Sequence, residues 1–172
     1  KNKDGAALID TKEDQSKWEK AAKAAQEIID MNRFALYKET GSGGKLDPYL
    51  SLHNLFLNVF NQEWIFSYQN ANVINKRGLT PRTASGYSSF GPTQKMIDEF
   101  EMSNGQKPIT GYKADGSPII NPASGYSETG FSDFKAFDDP SARQTYNMWV
   151  NREPRFYVSV SYAGRPWINT TS

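Results

Sequence analysis

The sequence predicts a mainly α fold with an irregular, loop-rich part and a few short strands. Apolar residues recur at three- and four-residue steps over residues 16–31, as they do on one face of an amphipathic helix. Two later stretches open with a helix-start signal and continue with apolar residues, the first at Asp47-Pro48 and the second at Pro92. The length of 172 residues suits one hydrophobic core, so we expect residues 1–172 to be part of a single domain truncated at both ends.

The first predicted helix runs from about residue 16 to residue 31. Ser16 and Glu19 have the spacing of a capping box, and Asn32 is suited to a left-handed cap at the other end. Small alanines on its apolar face let another helix approach closely, and no earlier helix is predicted. We therefore expect this face to pack against a helix outside the chain. The face consists of Trp18, Ala21, Ala22, Ala25, Ile28 and Ile29.

The second predicted helix follows a glycine-rich loop at residues 41–44. Asp47 is its expected N-cap and Pro48 its first-turn proline. The sequence is apolar nearly all round as far as Phe60, which is typical of a buried helix. The apolar and aromatic run at residues 63–68 then fits either a short buried strand or an extended segment.

The third predicted helix begins at Pro92 and ends before a turn at Asn104-Gly105. Three of its residues are expected to face inward: Met96, Ile97 and Phe100. Residues 103–139 then form a long irregular stretch with a tight turn at Asp115-Gly116. A compact domain seldom carries such a stretch unless the stretch is functional or packs on something outside the chain.

The last part of the chain is predicted to hold a short helix and a strand. Asp139-Pro140 has the pattern of a helix start, leading toward Trp149. Residues 155–162 alternate between apolar and polar side chains, which is the period of a half-buried strand. Ala163-Gly164 is expected to turn the chain.

Composition and charge argue against several kinds of ligand and covalent cross-link. Lysine and arginine number 20 and aspartate and glutamate 19, so the chain lacks the net positive charge of a typical nucleic-acid-binding protein. Aromatic residues reach 13%, which supplies both core and stacking surface. The chain has no cysteine, which excludes disulfides, thiolate metal sites and a cysteine-linked lipid anchor within it.

The sequence shows little sign of catalytic chemistry. The single histidine, His53, lies in the apolar second helix and is best read as a core or boundary residue, since a Ser-His-Asp triad or a zinc site needs partners at defined places. Asp138 and Asp139 are expected to cap the next helix and to pair with Arg143. A glycosidase acid pair has no fixed spacing in sequence, because its carboxylates need only lie about 5 to 10 Å apart in space.

The charged segment at residues 152–155 is expected to be a structural ion-pair network and not a ligand site. Aromatic residues in periodic or strongly apolar segments are assigned to the core: Trp18, Phe56, Phe60, Trp64, Phe100, Trp149 and Phe156.

Tyrosines in glycine-containing polar stretches are the candidate ligand contacts. Tyr87, Tyr112 and Tyr126 fall on no helical or alternating pattern that would demand burial. A tyrosine has an apolar face and a polar tip, and both suit a sugar ring. These three residues are therefore predicted to form a platform for a glycan; no catalytic or metal-binding residue is predicted.

Several segments of the chain, in the same order, resemble the SusD/RagB family. The C-terminal segment is the most specific, reading Asn151-Arg152-Glu153-Pro154-Arg155-Phe156-Tyr157 and continuing to Tyr162-Ala163-Gly164. The earlier segments are Lys17-Trp18-Glu19-Lys20-Ala21-Ala22, Phe34-Ala35-Leu36-Tyr37, Asn61-Gln62-Glu63-Trp64-Ile65-Phe66-Ser67, Pro92-Thr93-Gln94 and Ile97-Asp98-Glu99-Phe100.

The resemblance implies a tetratricopeptide-like helical superhelix that supports an irregular, ligand-binding part. It also implies a surface-exposed outer-membrane lipoprotein of Bacteroidetes-type bacteria, anchored by lipid outside this chain and without enzymatic activity or a cofactor. The implied partners are an oligosaccharide and a TonB-dependent (SusC-like) transporter that receives it. The alternatives are a helical scaffold that binds a peptide or protein, and a glycoside hydrolase, against which the single histidine weighs.

Overall fold

The computed structural model describes residues 2–7, 12–58, 60–67 and 77–166 of the 172. The chain divides into two compact units. The first consists of Lys1–Leu36 and Phe60–Phe66, and the second of Tyr37–Val59 and Ser67–Ser172. Both hairpins and all helices after the first described below belong to the second unit.

The first unit contains helix α1, Gln15–Asp30. The predicted helix is confirmed, but Asp14 and not Ser16 is the N-cap, since the Asp14 carboxylate accepts the Ser16 N–H at 3.0 Å. Asn32 takes the predicted left-handed conformation, with φ of 51°. No residue of α1 is buried. The assignment of Trp18 to a core within the described structure is therefore wrong.

Residues 60–66 complete the first unit through backbone pairing. Ala35 donates its N–H to the Gln62 carbonyl at 3.1 Å, and the Gln62 amide donates to the Leu36 carbonyl at 3.2 Å. Residues 63–67 form no strand, and Ile65 and Phe66 are exposed, so of the two predicted alternatives the buried strand is wrong. Tyr68 lies outside the described residues.

The second unit begins its helical part with α2, Pro48–Leu55. The predicted start is confirmed: the Asp47 carboxylate accepts the Leu50 N–H at 3.0 Å, and Pro48 occupies the first turn. The helix stops at Leu55, however, and Phe56 and Phe60 are exposed, so a fully buried helix as far as Phe60 is wrong.

Helix α3, Gln94–Asp98, is capped by Thr93 and is shorter than predicted. Ile97 is buried and Phe100 packs against the core, as predicted, whereas Met96 is exposed, contrary to the prediction. The turn predicted at Asn104-Gly105 is confirmed, since Gly105 has φ of +76° and donates its N–H to the Met102 carbonyl at 2.9 Å.

The stretch predicted to be irregular holds two antiparallel hairpins. β1, Ile109–Tyr112, pairs with β2, Pro118–Ile120, around the predicted turn at Asp115-Gly116. β3, Phe131–Phe134, pairs with β4, Arg143–Tyr146, with Phe131 opposite Tyr146. β4 lies where a helix starting at Asp139-Pro140 was predicted, so that predicted helix is wrong. A single 3-10 turn follows β4 at Asn147–Trp149.

Helix α4, Pro154–Ser159, replaces the strand predicted over residues 155–162. Pro154 sits in the first turn, where its fixed φ favours helix and its missing N–H breaks no bond. Phe156, Tyr157 and Val160 are buried, at the spacing that one helical face produces. The turn predicted at Ala163-Gly164 is confirmed by φ of +91° at Gly164.

The main core of the second unit lies between α2, α3 and α4. Phe156 is 0% exposed, and rings surround it at centroid distances of 5.2 to 6.0 Å: Phe100, Trp149, Tyr157 and Tyr162. The core assignment is thus confirmed for Phe100, Trp149 and Phe156. A smaller cluster of Met102, Ile109 and Tyr126 lies under the first hairpin.

A backbone bridge joins the two ends of the hairpin region. Met102 and Arg152 form an isolated antiparallel bridge. Ser103 donates its N–H to the Asn151 carbonyl at 2.7 Å, and Glu153 donates to the Glu101 carbonyl at 2.9 Å. Both hairpins therefore lie within one closed segment of chain.

The predicted mainly α superhelix is wrong. Apart from α1, the α-helices among the described residues have eight residues or fewer, and two small sheets separate α3 from α4. Short helices bounded by prolines and turns cannot provide the long paired faces that a helical superhelix stacks. None of the helices in the described ranges has the length and apolar character required to cross a membrane.

Candidate ligand-binding site

Tyr87 lies at an open hollow of about 580 Å³, which Arg82, Gly86 and Ser89 also line. The Tyr87 side chain is 52% exposed. Its hydroxyl lies 3.4 Å from Nη1 of Arg77, which donates to it. The predicted exposure of this ring is confirmed, and it stands beside two arginines that the sequence analysis did not single out.

Backbone hydrogen bonds shape the loop that carries the hollow. Tyr87 donates its N–H to the Arg77 carbonyl at 2.7 Å, and Ser89 donates to the Gly78 carbonyl at 2.8 Å. Gly86 passes so close to Thr80 that a Cβ would collide with the Thr80 carbonyl. Only glycine fits there without moving the backbone. Backbone hydrogen bonds and this close approach therefore hold the loop around Tyr87 in place.

Tyr112 ends strand β1 and is 42% exposed. Its hydroxyl donates to Oδ2 of Asp98 at 2.6 Å, while Gln94 donates to Oδ1 of the same carboxylate at 2.8 Å. The hydrogen bond to Asp98, with some desolvation, raises the pKa of Tyr112 to about 12. The buried Asp98 thus fixes the direction of an otherwise exposed ring.

We expect the Asp98 contact to be visible in an alkaline titration. Because the folded-state pKa of Tyr112 lies above the unfolded value of about 10, the stabilisation from this bond is complete below pH 10 and is lost as the pH rises toward 12. The absorbance difference between the protein and Tyr112→Phe should show a phenolate midpoint near pH 12. Asp98→Asn should shift that midpoint down toward about 10. An unshifted midpoint in Asp98→Asn would contradict this account.

Tyr126 is buried, at 6% exposed, so the predicted exposure of its ring is wrong. The guanidinium carbon of Arg152 lies 5.4 Å from the ring centroid, and the hydroxyl donates to Glu128 at 3.1 Å. Burial raises the pKa of this tyrosine. Gly125 does turn the chain there, with φ of 72°, but the turn directs Tyr126 into the smaller core cluster and not toward solvent.

The structure brings two of the three predicted tyrosines into one region. Tyr112 and Tyr126 each interact electrostatically with both Asp98 and Glu128. No contact described within the residues 77–166 joins Tyr87 to either of them. The two exposed candidate tyrosines therefore lie in different places, Tyr87 at the hollow and Tyr112 on the first hairpin.

The charged segment at residues 152–155 forms only part of the ion-pair network predicted for it. Arg155 pairs with Glu153 at 2.6 Å. Arg152, at 1% exposed, instead donates to the carbonyls of Ile97 at 2.7 Å and Phe100 at 2.9 Å. Burial lowers the pKa of Arg152. No motif in the sequence signals that these distant carbonyls are its partners.

The remaining candidate groups are His53 and the two aspartates. His53 is exposed and stacks on Tyr49, with centroids 5.7 Å apart. Asp139 pairs with Arg143 at 3.5 Å, as predicted, although no helix follows for it to cap; Asp138 instead binds Arg165 at 2.9 Å. A search of the described residues found no cluster of histidine and acidic side chains able to hold a metal ion.

Comparison with known protein families shows what part of the chain is similar to. The model of the SusD family matches residues 58–171, which is more than half of the chain. The match includes the hollow, both hairpins, α3 and α4. Searches of curated proteins and of solved structures returned no match.

Proposed function

Because this chain belongs to the SusD family, we propose that it is a cell-surface glycan-binding protein that captures oligosaccharides and passes them to a TonB-dependent transporter in the outer membrane. The family match carries this proposal. In it the protein binds and releases its ligand without a catalytic step. The partners are an oligosaccharide and a SusC-like transporter, and the location is the outer surface of the cell.

The exposed tyrosines support the glycan-binding part of the proposal. The C–H face of a pyranose ring can lie on the ring of Tyr87 or Tyr112 and remove apolar area from water at roughly 25 cal/mol per Å². Part of this gain is lost to ordering of the ligand, so we expect dissociation constants in the millimolar to micromolar range, about −4 to −8 kcal/mol. Such affinity suits a protein that releases its cargo.

Replacing Tyr87 or Tyr112 with alanine is expected to weaken oligosaccharide binding about tenfold, which corresponds to about 1.4 kcal/mol. The stacked area is lost while the fold is kept, since both side chains are substantially exposed. Calorimetry with malto-, cello-, xylo- and manno-oligosaccharides measures the affinity, and a thermal melt monitors folding.

Phe131→Ala is the matched control, because Phe131 is also an exposed aromatic residue and lies on β3. Unchanged affinity in both tyrosine variants would place the glycan elsewhere. The surface location and the transporter are tested by labelling intact cells and by co-purification from outer membranes.

A further inference from the structure

We propose that the hollow at Tyr87 selects acidic oligosaccharides, namely those whose sugar rings carry a carboxylate. This inference rests on the proposed glycan binding and deepens it by naming a class of ligand. Tyr87 provides the face on which the sugar ring stacks, and Arg82 receives the carboxylate. Arg77 adds a second positive charge at the hydroxyl end of the tyrosine, where its Nη1 is 3.4 Å away.

The local charge of this part of the chain differs from the charge of the whole. Residues 64–97 contain no aspartate and no glutamate. The same stretch carries Lys76, Arg77, Arg82 and Lys95, whereas the full chain has 20 basic and 19 acidic residues. The hollow lies within the stretch, at residues 82–89. The sequence on either side of Tyr87 is therefore more basic than the chain as a whole.

Arg82 also differs from arginines later in the chain. Arg143, Arg155 and Arg165 each pair with a carboxylate, at 3.5, 2.6 and 2.9 Å. Among the described residues no ion pair or side-chain hydrogen bond uses the Arg82 guanidinium. Its hydrogen bonds come from the backbone: the Arg82 N–H donates to Oγ of Ser88 at 3.1 Å, and the Arg82 carbonyl accepts the Ser85 N–H at 3.1 Å. Arg82 thus lines the hollow, and within the described part of the chain no protein acceptor takes a hydrogen bond from its guanidinium.

A uronic acid matches both features of the hollow. The planar guanidinium donates two parallel hydrogen bonds to a carboxylate, a geometry that a neutral hydroxymethyl group does not offer. The carboxylate of a uronate is attached to the same ring whose C–H face stacks on tyrosine. Ser89 lines the hollow as well and offers a hydroxyl to the sugar hydroxyls. A single uronic acid residue could therefore bind the arginine, stack on the tyrosine and accept a hydrogen bond from the serine.

The first experiment compares ligands on the unaltered protein. Oligogalacturonate and oligomannuronate are each titrated beside the methyl ester of the same length, so that the two members of a pair differ in charge. We expect the free acid to bind at least about tenfold more tightly than its ester. The difference should shrink as ionic strength rises, because the Debye length falls from about 30 Å at 0.01 M to about 3 Å at 1 M.

The second experiment removes the guanidinium. Arg82→Gln should weaken binding of the free acid about tenfold and leave binding of the ester unchanged. Arg82→Lys keeps the charge without the planar fork and should give an intermediate loss. Lys95→Gln is the matched control, since it removes one charge from the same stretch at an exposed position outside the hollow. It should change the affinity less than about twofold.

Each of the following results would overturn the proposal. Equal binding of acid and ester shows that the carboxylate is not recognised, and equal losses in Arg82→Gln and Lys95→Gln show that only the general field matters. Tighter binding of a sulfated oligosaccharide shows that a different acid group is selected. If neutral oligosaccharides bind through Tyr87 and acidic ones do not, glycan binding stands and this inference falls. If no oligosaccharide binds, the proposed function falls as well.

Discussion

Replacing Arg152 with methionine is expected to lower the free energy of unfolding by about 3 kcal/mol, because it removes the hydrogen bonds that the guanidinium donates to three carbonyl groups. The side chain is 1% exposed and bonds the carbonyls of Ile97, Phe100 and Met148 at 2.7, 2.9 and 3.3 Å. It also lies 4.9 Å from the ring centroid of Phe156. Methionine can fill much of the volume but donates no hydrogen bond. Chemical denaturation measures the loss.

Arg155→Met provides the matched comparison for Arg152→Met. Arg155 is exposed and pairs with Glu153 two residues away, so its removal should change the free energy of unfolding by less than about 1 kcal/mol. Arginine burial carries a desolvation penalty that methionine avoids. Should Arg152→Met prove as stable as the parent protein, that penalty would outweigh the hydrogen bonds, and Arg152 would not be holding α3 to the segment before α4.

Replacing Phe156 with alanine is expected to lower the free energy of unfolding by about 3 to 5 kcal/mol. Phe156 is 0% exposed and lies among four aromatic rings, of which the ring of Tyr157 is at 5.2 Å. Alanine would leave a cavity that these rigid rings cannot easily fill. The loss should appear as a lower denaturation midpoint with an unchanged slope.

Phe131→Ala makes the same chemical change at a position that is 66% exposed. Its ring contacts Tyr146 at 5.4 Å on the open side of the second hairpin, so the loss should stay near about 1 kcal/mol or less. Similar losses in the two variants would contradict the placement of the core around α4.

Local signals in the sequence predicted the starts of helices and the turns. Asp47 and Pro48 specify the start of α2 through a side-chain cap and a fixed φ, both of which act within one helical turn. The turns at Gly105, Gly116 and Gly164 were predicted for a similar reason, since a positive φ favours glycine wherever the rest of the chain lies.

The strand predicted over residues 155–162 was wrong because the sequence fits both the two-residue period of a strand and the 3.6-residue period of a helix. Residues 155–162 alternate like a strand when Tyr157 is counted as polar. In the structure Tyr157 is buried and donates to the Trp149 carbonyl at 2.7 Å, so the buried residues follow helical spacing. A tyrosine is apolar over most of its surface. Whether it is buried like an apolar residue or exposed like a polar one depends on its tertiary contacts, which the sequence pattern does not show.

The candidate site was predictable to the extent that exposure depends on local sequence. Tyr87 is exposed, as its glycine-containing loop suggests, but Tyr126 is covered by Arg152, which lies 26 positions later. Arg77 donates to the Tyr87 hydroxyl within a loop in which Gly86 closely approaches the backbone of Thr80. Contacts of this kind form when the chain folds back on itself, and the spacing of residues in the sequence does not predict them.

The backbone bridge between residues 101–103 and 151–153 has a consequence for the order of folding. It joins Glu101 and Glu153, which are 52 positions apart, while each hairpin pairs residues close in sequence. The Glu153 side chain takes part, because its carboxylate accepts the Glu101 N–H at 2.9 Å. Closing a loop grows more unfavourable with its length, by about 0.6 kcal/mol for each doubling. Early hairpins shorten the flexible part of this loop, so we expect the bridge to form after the rate-limiting step. Weakening it with Glu153→Ala should then accelerate unfolding in stopped-flow kinetics and leave refolding nearly unchanged, whereas slower refolding would place the bridge in the folding nucleus.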